Sequence, residues 1–144
     1  MGRIDQKEKK VYETVDILDK VKEEIPDIKL YIVGKADQPA IEENLKGMFA
    51  ERGLTSNVVF EGYSQHVEEY MLTKSIFFMT SHCEGFPMPL GEAMRYGIPI
   101  VMYKLPYLEF QKENREIITV ENGNWEELSR KKTNCLRTMV EDIE

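Results

Sequence analysis

Cysteine and histidine, the usual metal ligands and disulfide partners, are scarce in this chain. Its 144 residues include two of each, and Cys83 and Cys135 match neither a disulfide framework nor paired metal ligands. Such cysteine use fits the reducing cytoplasm. His82 and Cys83 are neighbours whose side chains point apart, and no second ligand pair follows at metal spacing. We therefore predict no metal site.

A basic surplus and long apolar stretches are also missing. The net charge of -7 argues against broad binding to nucleic acids or anionic membranes, because neutralising phosphates requires excess lysine and arginine. No apolar run could span a bilayer, and no signal-peptide pattern is present. A G-x-G-x-x-G fingerprint is absent as well, which counts against a nicotinamide or flavin dehydrogenase. The net charge does not exclude a local basic pocket.

What the chain does have is an alternation of short apolar runs with helical patterns. Its length suits one domain or half of a two-domain enzyme. The pattern predicts an α/β fold, a three-layer Rossmann-like domain with a parallel sheet. The predicted strands lie around 28–33, 57–61, 75–80, 98–103 and 116–120. Helices are expected over 11–25, 39–52 and 64–72, from residues 87–90 to Tyr96, and after an Asn124 cap.

The segment 81–94 links a buried strand to one of these helices. Two prolines place the helix start near residues 87–90, because proline is tolerated in a first turn and not in a helix interior. Glu84 then lies on the loop at the carboxyl end of the strand, and Glu92 lies in an early turn of the helix. Open α/β sheets bind their ligands in the crevice at that end.

The charges of this segment predict what the crevice binds. Free amides at a helix start favour an anion such as phosphate. Ionised Glu84 and Glu92 accept hydrogen bonds only, so they need donors such as the hydroxyls of a sugar or ribose. Together these groups favour a sugar phosphate or nucleotide sugar. The alternative is that Glu84 caps the helix and Glu92 is a solvated acid. The amides belong to Gly85, Phe86, Met88, Leu90 and Gly91.

The segment from Glu84 to Met94, followed by Gly-Ile-Pro-Ile-Val at 97–101, resembles the E-x7-E motif of retaining GT-B glycosyltransferases. The resemblance is to the large bacterial group 1 (family 4) sugar transferases. Pro89 departs from the family, which usually has an aliphatic residue there. The resemblance implies that Glu92 takes the ribose hydroxyls and Glu84 the donor sugar. It also places near the phosphate the backbone of Gly85, Phe86, Pro87 and Met88.

The start of the chain carries a second resemblance to this family. A Gly-Arg pair ends the first strand of the family's C-terminal domain, and a lysine a few residues later joins the arginine on the diphosphate. Gly2 and Arg3 match the pair, and Lys9 is the better match for the lysine, with Lys7 as the rival. The alternative is a frayed terminus with solvated basic residues.

Two further positions follow from the same comparison. Gly34 matches the family's Val-Gly turn, where glycine gives either a close approach to the ligand or a tight turn. The nucleobase would lie against the backbone of residues 60–63, where Tyr63 would stack on it or simply pack. Because the Gly-Arg strand begins the second half of such enzymes, we expect residues 1–144 to be a nucleotide-sugar-binding C-terminal domain without its N-terminal acceptor domain.

The expected function is the donor-binding half of a cytoplasmic retaining glycosyltransferase. The whole enzyme would transfer a hexosyl group from a nucleoside diphosphate sugar to a glycan or lipid-linked acceptor, with no cofactor or metal. Peripheral membrane contact of the full enzyme stays open, and the isolated half is expected to be inactive. The alternatives are another GT-B enzyme, such as a nucleotide-sugar epimerase, and a non-catalytic α/β interaction domain.

Overall fold

The computed structural model describes residues 2–4, 10–82, 88–105 and 116–133, with the backbone alone described for residues 2–4 and 88. Its strands are β1 Gly2–Ile4, β2 Leu30–Ala36, β3 Val58–Gly62, β4 Phe77–Met79, β5 Ile100–Tyr103 and β6 Ile117–Val120. Its helices are α1 Glu13–Glu24, α2 Pro39–Glu51, α3 Val67–Thr73 and α4 Met88–Tyr96. Residues 125–133 are also helical and are called α5.

All the described strand pairings are parallel. Hydrogen bonds order the strands as β1-β2-β3 in one sheet and β4-β5-β6 in a second. The helices α1 to α4 lie in the connections from β1 to β5, as parallel pairing requires. The predicted α/β class with parallel strands is confirmed, and each predicted strand is present with its start one or two residues later. The hydrogen bonding, however, divides the strands into two sheets of three.

The strand β2 differs from the prediction at Gly34. The sequence predicts that the strand ends before this glycine, but β2 continues to Ala36. Gly34 has a φ of 145°, which glycine adopts without the cost that a Cβ would add. The β2–β3 register also shifts between Ile32 and Val33, and Gly34 then pairs with Gly2 of β1. Gly34 therefore keeps the strand going, and the tight-turn alternative is wrong.

The start of α3 is a second correction. The predicted helix follows a cap at Ser64, whereas α3 begins at Val67, after His66. The hydroxyl of Ser64 accepts a hydrogen bond from the backbone N–H of His66 at 3.1 Å, a local bond that favours a turn over a helix. His66 is exposed, as predicted for a surface residue.

Two other predicted helix ends are confirmed, whereas α1, predicted over 11–25, spans Glu13–Glu24. Gly97 follows α4 with a φ of 68°, and the N–H of Ile98 donates to the carbonyl of Ala93 at 3.2 Å. This is the bond that closes a helix whose last turn passes into a left-handed glycine. At the start of α5, the side-chain oxygen of Asn124 accepts from the N–H of Glu127 at 3.2 Å, as a cap should.

The helix α1 packs against both sheets. Val15 and Leu18 belong to the apolar cluster of the first sheet. Ile17 and Val21 belong to a cluster with residues of β5, β6 and α5. Because residues three and four apart share one helix face, two adjacent faces of α1 are buried. The helix thereby ties the two sheets together and fixes the position of its own first turn.

Candidate functional site

The carboxyl ends of the strands define one edge of the molecule. In parallel sheets all strands end on the same side, and ligands of open α/β folds bind there. Residues 80–87 lead from β4 to α4, so the first turn of α4 lies at this edge. The first turn of α1 lies at it as well, because α1 follows β1. We call this the carboxyl edge.

A hydrogen-bonded cluster of three side chains lies at the carboxyl edge. The buried hydroxyl of Tyr103, the last residue of β5, donates to Oε2 of Glu13 at 2.6 Å. Nε2 of His82 lies 3.1 Å from Oε1 of the same carboxylate. The rings of His82 and Tyr103 meet edge to face, with centroids 5.0 Å apart and planes at 84°. The cluster joins the first residue of α1 to the ends of β4 and β5.

Burial strengthens the preference of the Tyr103 side chain for its neutral form. Desolvation is the first cause that raises the pKa of Tyr103 far above its usual value, and the hydrogen bond to Glu13 adds to it. A tyrosine with an ordinary pKa of about 10 is already neutral at physiological pH. The raised pKa of Tyr103 keeps its phenol protonated, and a hydrogen-bond donor, in more basic solution as well. The neutral hydroxyl of Tyr103 donates its hydrogen bond to the Glu13 carboxylate and brings no second negative charge beside it.

The backbone of residue 82 is held as well. Nδ2 of Asn122, in the turn after β6, donates to the carbonyl oxygen of His82 at 3.1 Å. His82 immediately precedes residues 83–87, which carry the predicted site residue Glu84 and lie outside the described residues. The ring and the carbonyl of His82 both have described partners, which hold this residue in place.

Three predicted site residues lie within the described side chains. Glu92 is half-buried in the second turn of α4, and within the described residues its carboxylate makes no hydrogen bond or ion pair. Gly34 is buried in β2. Tyr63 follows β3 directly and is 73% exposed. The alternative that its ring simply packs is therefore wrong, and a flat apolar face is open to a ligand at this edge.

The β1 strand brings two predicted positions together. Gly2 pairs with Gly34, and Arg3 pairs with Lys35. Residues 2–4 thus form a strand, and the frayed-terminus alternative is wrong for their backbone. The side chain of Arg3 is outside the described part of the structure, as is that of Met88. Also outside the described residues are Lys7, Lys9, Glu84, Gly85, Phe86 and Pro87, so their predicted roles stay predictions.

Sequence reasoning missed Glu13, Tyr103 and Asn122. Nothing in the local pattern marks them, because Glu13 reads as a first-turn acid and Tyr103 as the end of a buried strand. Only the fold brings together residues 90 positions apart.

Among the residues that the structure describes, no three or more histidine, cysteine, aspartate or glutamate side chains gather as a metal site would require. No described helix combines the length and apolar character that crossing a membrane needs.

Comparisons with known proteins agree on one family. The model of "Glycosyl transferases group 1" matches residues 1–138. A glycosyltransferase of Haemophilus influenzae, itself uncharacterised, is 36% identical over 78 residues, which make up 54% of this chain and 21% of that protein. The chain spans between 12% and 22% of the length of the curated relatives it matches.

Solved structures show the same fold. Anabaena HepE, solved with UDP and glucose, has a TM-score of 0.82 at 22% identity, over 94% of this chain and 38% of that one. The C-terminal domain of the group 1 protein LpcC from Francisella tularensis has a TM-score of 0.74 at 21% identity, over 98% of this chain and 73% of that one. At these identities the likeness establishes the fold.

Proposed function

This chain belongs to the group 1 glycosyl transferases, and we propose that it is the donor-binding half of a retaining member. The whole enzyme would transfer a hexosyl group from a nucleoside diphosphate sugar to a glycan or lipid-linked acceptor. The observation that carries the proposal is Glu92, a half-buried carboxylate on α4 at the carboxyl edge. HepE, which shares the fold, was solved with UDP and glucose, and LpcC was solved as a C-terminal domain.

Glu92 is the proposed ligand of the ribose. An ionised carboxylate can accept from two neighbouring hydroxyls at once, and no described group competes for it. Tyr63 would cover the nucleobase with its exposed ring. Gly34, without a Cβ and with a φ of 145°, would let the backbone of β2 approach the ligand.

The remaining roles follow from the motif. Arg3 and Lys9 would bind the diphosphate, together with the backbone of residues 85–88 at the start of α4, and Glu84 would bind the donor sugar. In the transfer, the bond from the anomeric carbon to the phosphate oxygen breaks, and the acceptor hydroxyl bonds to the same face. The acceptor proton leaves with the diphosphate. The basic side chains and amides stabilise the charge that grows on the leaving group.

The test is a calorimetric titration of the chain with UDP, GDP and ADP. We expect at least one nucleotide to bind. Glu92→Ala should weaken that binding by about tenfold or more, since a hydrogen bond to a charged group contributes about 1.5–3 kcal/mol. Glu43→Ala, an exposed acid on α2, is the matched control and should leave the affinity unchanged. Binding by none of the three nucleotides would favour the non-catalytic interaction domain.

A second measurement tests whether this chain is only half of the active site. Purified residues 1–144 should neither transfer nor hydrolyse a nucleotide sugar, because the acceptor side would come from another domain. Turnover by the chain alone would contradict the half-enzyme proposal. Interconversion of two nucleotide sugars would instead support the epimerase alternative.

A further inference from the structure

The exposed side chain of Lys35 lies at the carboxyl edge, outside the contacts considered so far. Lys35 is the last but one residue of β2 and directly follows Gly34. Its side chain is exposed, and within the described part of the chain its ammonium group forms no hydrogen bond or ion pair. An ammonium group carries a positive charge and three hydrogen-bond donors. A ligand at this edge can therefore use a cation that no described side chain neutralises.

The alternation of side chains along β2 determines which face Lys35 occupies. Ala36 is buried in the apolar cluster that contains residues of α1 and α2, so Lys35, one position earlier, points to the opposite face. In the second sheet, Val101 packs in the cluster with α1, whereas Met102 packs in the cluster with α4. Because α1 covers the same face of both sheets, Lys35 and α4 share the other face. Lys35 is thus on the side of the molecule that carries Glu92.

The neighbouring strands place Lys35 between two predicted contacts of the donor. On one side, Lys35 pairs with Arg3 of β1. On the other side, β3 pairs with β2 up to Gly62, directly before Tyr63. Adjacent strands are about 4.8 Å apart, so β2 lies one strand spacing from each neighbour. Under the proposed function, Arg3 binds the diphosphate and Tyr63 covers the base. The ribose and the phosphate attached to it then lie at the end of β2.

The chemistry of these two ligand groups narrows the contact of Lys35. The ribose hydroxyls are proposed to donate to Glu92, which only accepts, whereas an ammonium group only donates. Next to the ribose, the strongest acceptors are the ionised oxygens of its phosphate. A hydrogen bond to an ionised acceptor is roughly twice as strong as one between neutral groups. The ammonium group of Lys35 therefore matches the phosphate better than the ribose.

We propose that Lys35 binds the phosphate next to the ribose of the donor nucleotide. The inference rests on the proposed function and adds a cation to Arg3 and Lys9, which the motif predicts. In the transfer, negative charge grows on the outer phosphate, which leaves the anomeric carbon. The charge of the phosphate next to the ribose stays the same. Lys35 therefore holds the donor and the departing diphosphate equally and does not accelerate the breaking of the bond.

The test compares three ligands that differ only in their phosphates. For whichever of UDP, GDP and ADP binds, the diphosphate, the monophosphate and the nucleoside are titrated into the isotope-labelled chain and followed by NMR. Lys35→Gln removes the charge and keeps a polar side chain. We expect it to weaken the binding of the diphosphate and of the monophosphate about fivefold each, as the loss of one partly exposed charge-assisted hydrogen bond predicts. Binding of the nucleoside should change by less than about twofold.

Two further variants test the charge and its position. Lys35→Arg keeps a cation at the same place and should retain the affinity for both phosphate ligands within about twofold. Lys20→Gln removes an equal charge in the second half of α1, away from the carboxyl edge, where the lysine side chain is 53% exposed. This control should leave all three affinities unchanged.

The possible outcomes separate this inference from the proposed function. A nucleotide that binds the natural chain and Lys35→Gln equally well would overturn the role of Lys35 alone. A loss confined to the diphosphate would also overturn it, because the lysine would then bind the outer phosphate. So would an equal loss for the nucleoside, which would indicate a contact with the base or a change in the fold. If none of UDP, GDP and ADP binds, the proposed function fails and this inference fails with it.

Discussion

The carboxyl edge and the opposite edge, where the strands begin and which we call the amino edge, bury polar side chains in opposite ways. At the carboxyl edge, Tyr103 donates to Glu13, which also contacts His82. At the amino edge, Lys132 is buried against the ring of Phe78 and forms no ion pair within the described part of the chain. A buried polar group is cheap when its partners are present and costly when they are missing. The hydrogen bonds at the carboxyl edge therefore fix the positions of its polar side chains. At the amino edge, the desolvation of Lys132 is offset by no described partner other than the ring of Phe78.

The largest predicted effect is that of removing the charge at the amino edge. Lys132→Met keeps the length of the side chain and its contact with Phe78 but has no ammonium group. Because the folded pKa is about 7 and that of a free lysine about 10.4, the variant should be more stable by about 4 kcal/mol at neutral pH or below. Urea unfolding at pH 6.5 measures the difference.

The pH dependence has a defined sign. Between the folded and unfolded pKa values, the unfolded chain binds more protons than the native one at Lys132. The stability of the natural chain should therefore rise from about pH 7 to pH 10, and Lys132→Met should lose that part of the rise. A rise of equal size in both proteins would show that Lys132 is solvated, and the contrast between the edges would disappear.

A smaller change in the free energy of unfolding is expected from breaking the cluster of Glu13, His82 and Tyr103. Tyr103→Phe removes the hydroxyl that donates to Glu13 and leaves the ring contact with His82. Since the carboxylate of Glu13 is about one-fifth exposed and water can replace part of the bond, we expect a loss of about 1–2 kcal/mol. Tyr63→Phe, at a 73% exposed position, is the control and should change the free energy of unfolding by less than about 0.5 kcal/mol. Equal losses in both variants would mean that the cluster contributes nothing.

The fold was largely predictable, because its signals are local. Apolar runs located the strands, and Gly97 and Asn124 located helix ends whose hydrogen bonds the structure contains. The two errors have different causes. Pairing with β1, a tertiary contact, extended β2 past Gly34, whereas a local hydrogen bond from the N–H of His66 to the hydroxyl of Ser64 accompanies the later start of α3.

The site was less predictable than the fold, because its contacts join residues far apart in the sequence. Glu92 and Tyr63 could be proposed from a motif and a position after a strand, but the contact of Glu13 with Tyr103 depends on the whole fold. Lys132 did leave a signal, because it lies four residues after the buried Leu128 on the same face of α5. The neighbouring basic residues, Arg130 and Lys131, masked that signal, since runs of charge usually face the solvent.

The smallest effect concerns the cost of placing Glu13 in its cluster. Lys10 has a φ of 49°, in the left-handed region that a Cβ disfavours by about 1–2 kcal/mol. Its carbonyl accepts the N–H of Glu13 at 3.0 Å, so the strained residue helps to set the first turn of α1. Lys10→Gly should relieve the strain and, after the entropy cost of glycine, stabilise the chain by about 0.5–1 kcal/mol.

Lys10→Ala separates this strain from the loss of the lysine charge. Alanine keeps the Cβ and removes the ammonium group, so its free energy of unfolding should stay below that of Lys10→Gly. If the two variants are equally stable in urea, the backbone at residue 10 carries no strain. The side-chain cluster would then hold the carboxyl edge without backbone strain. The contrast between the edges would become sharper, because the amino edge would still bear the cost of burying the ammonium group of Lys132.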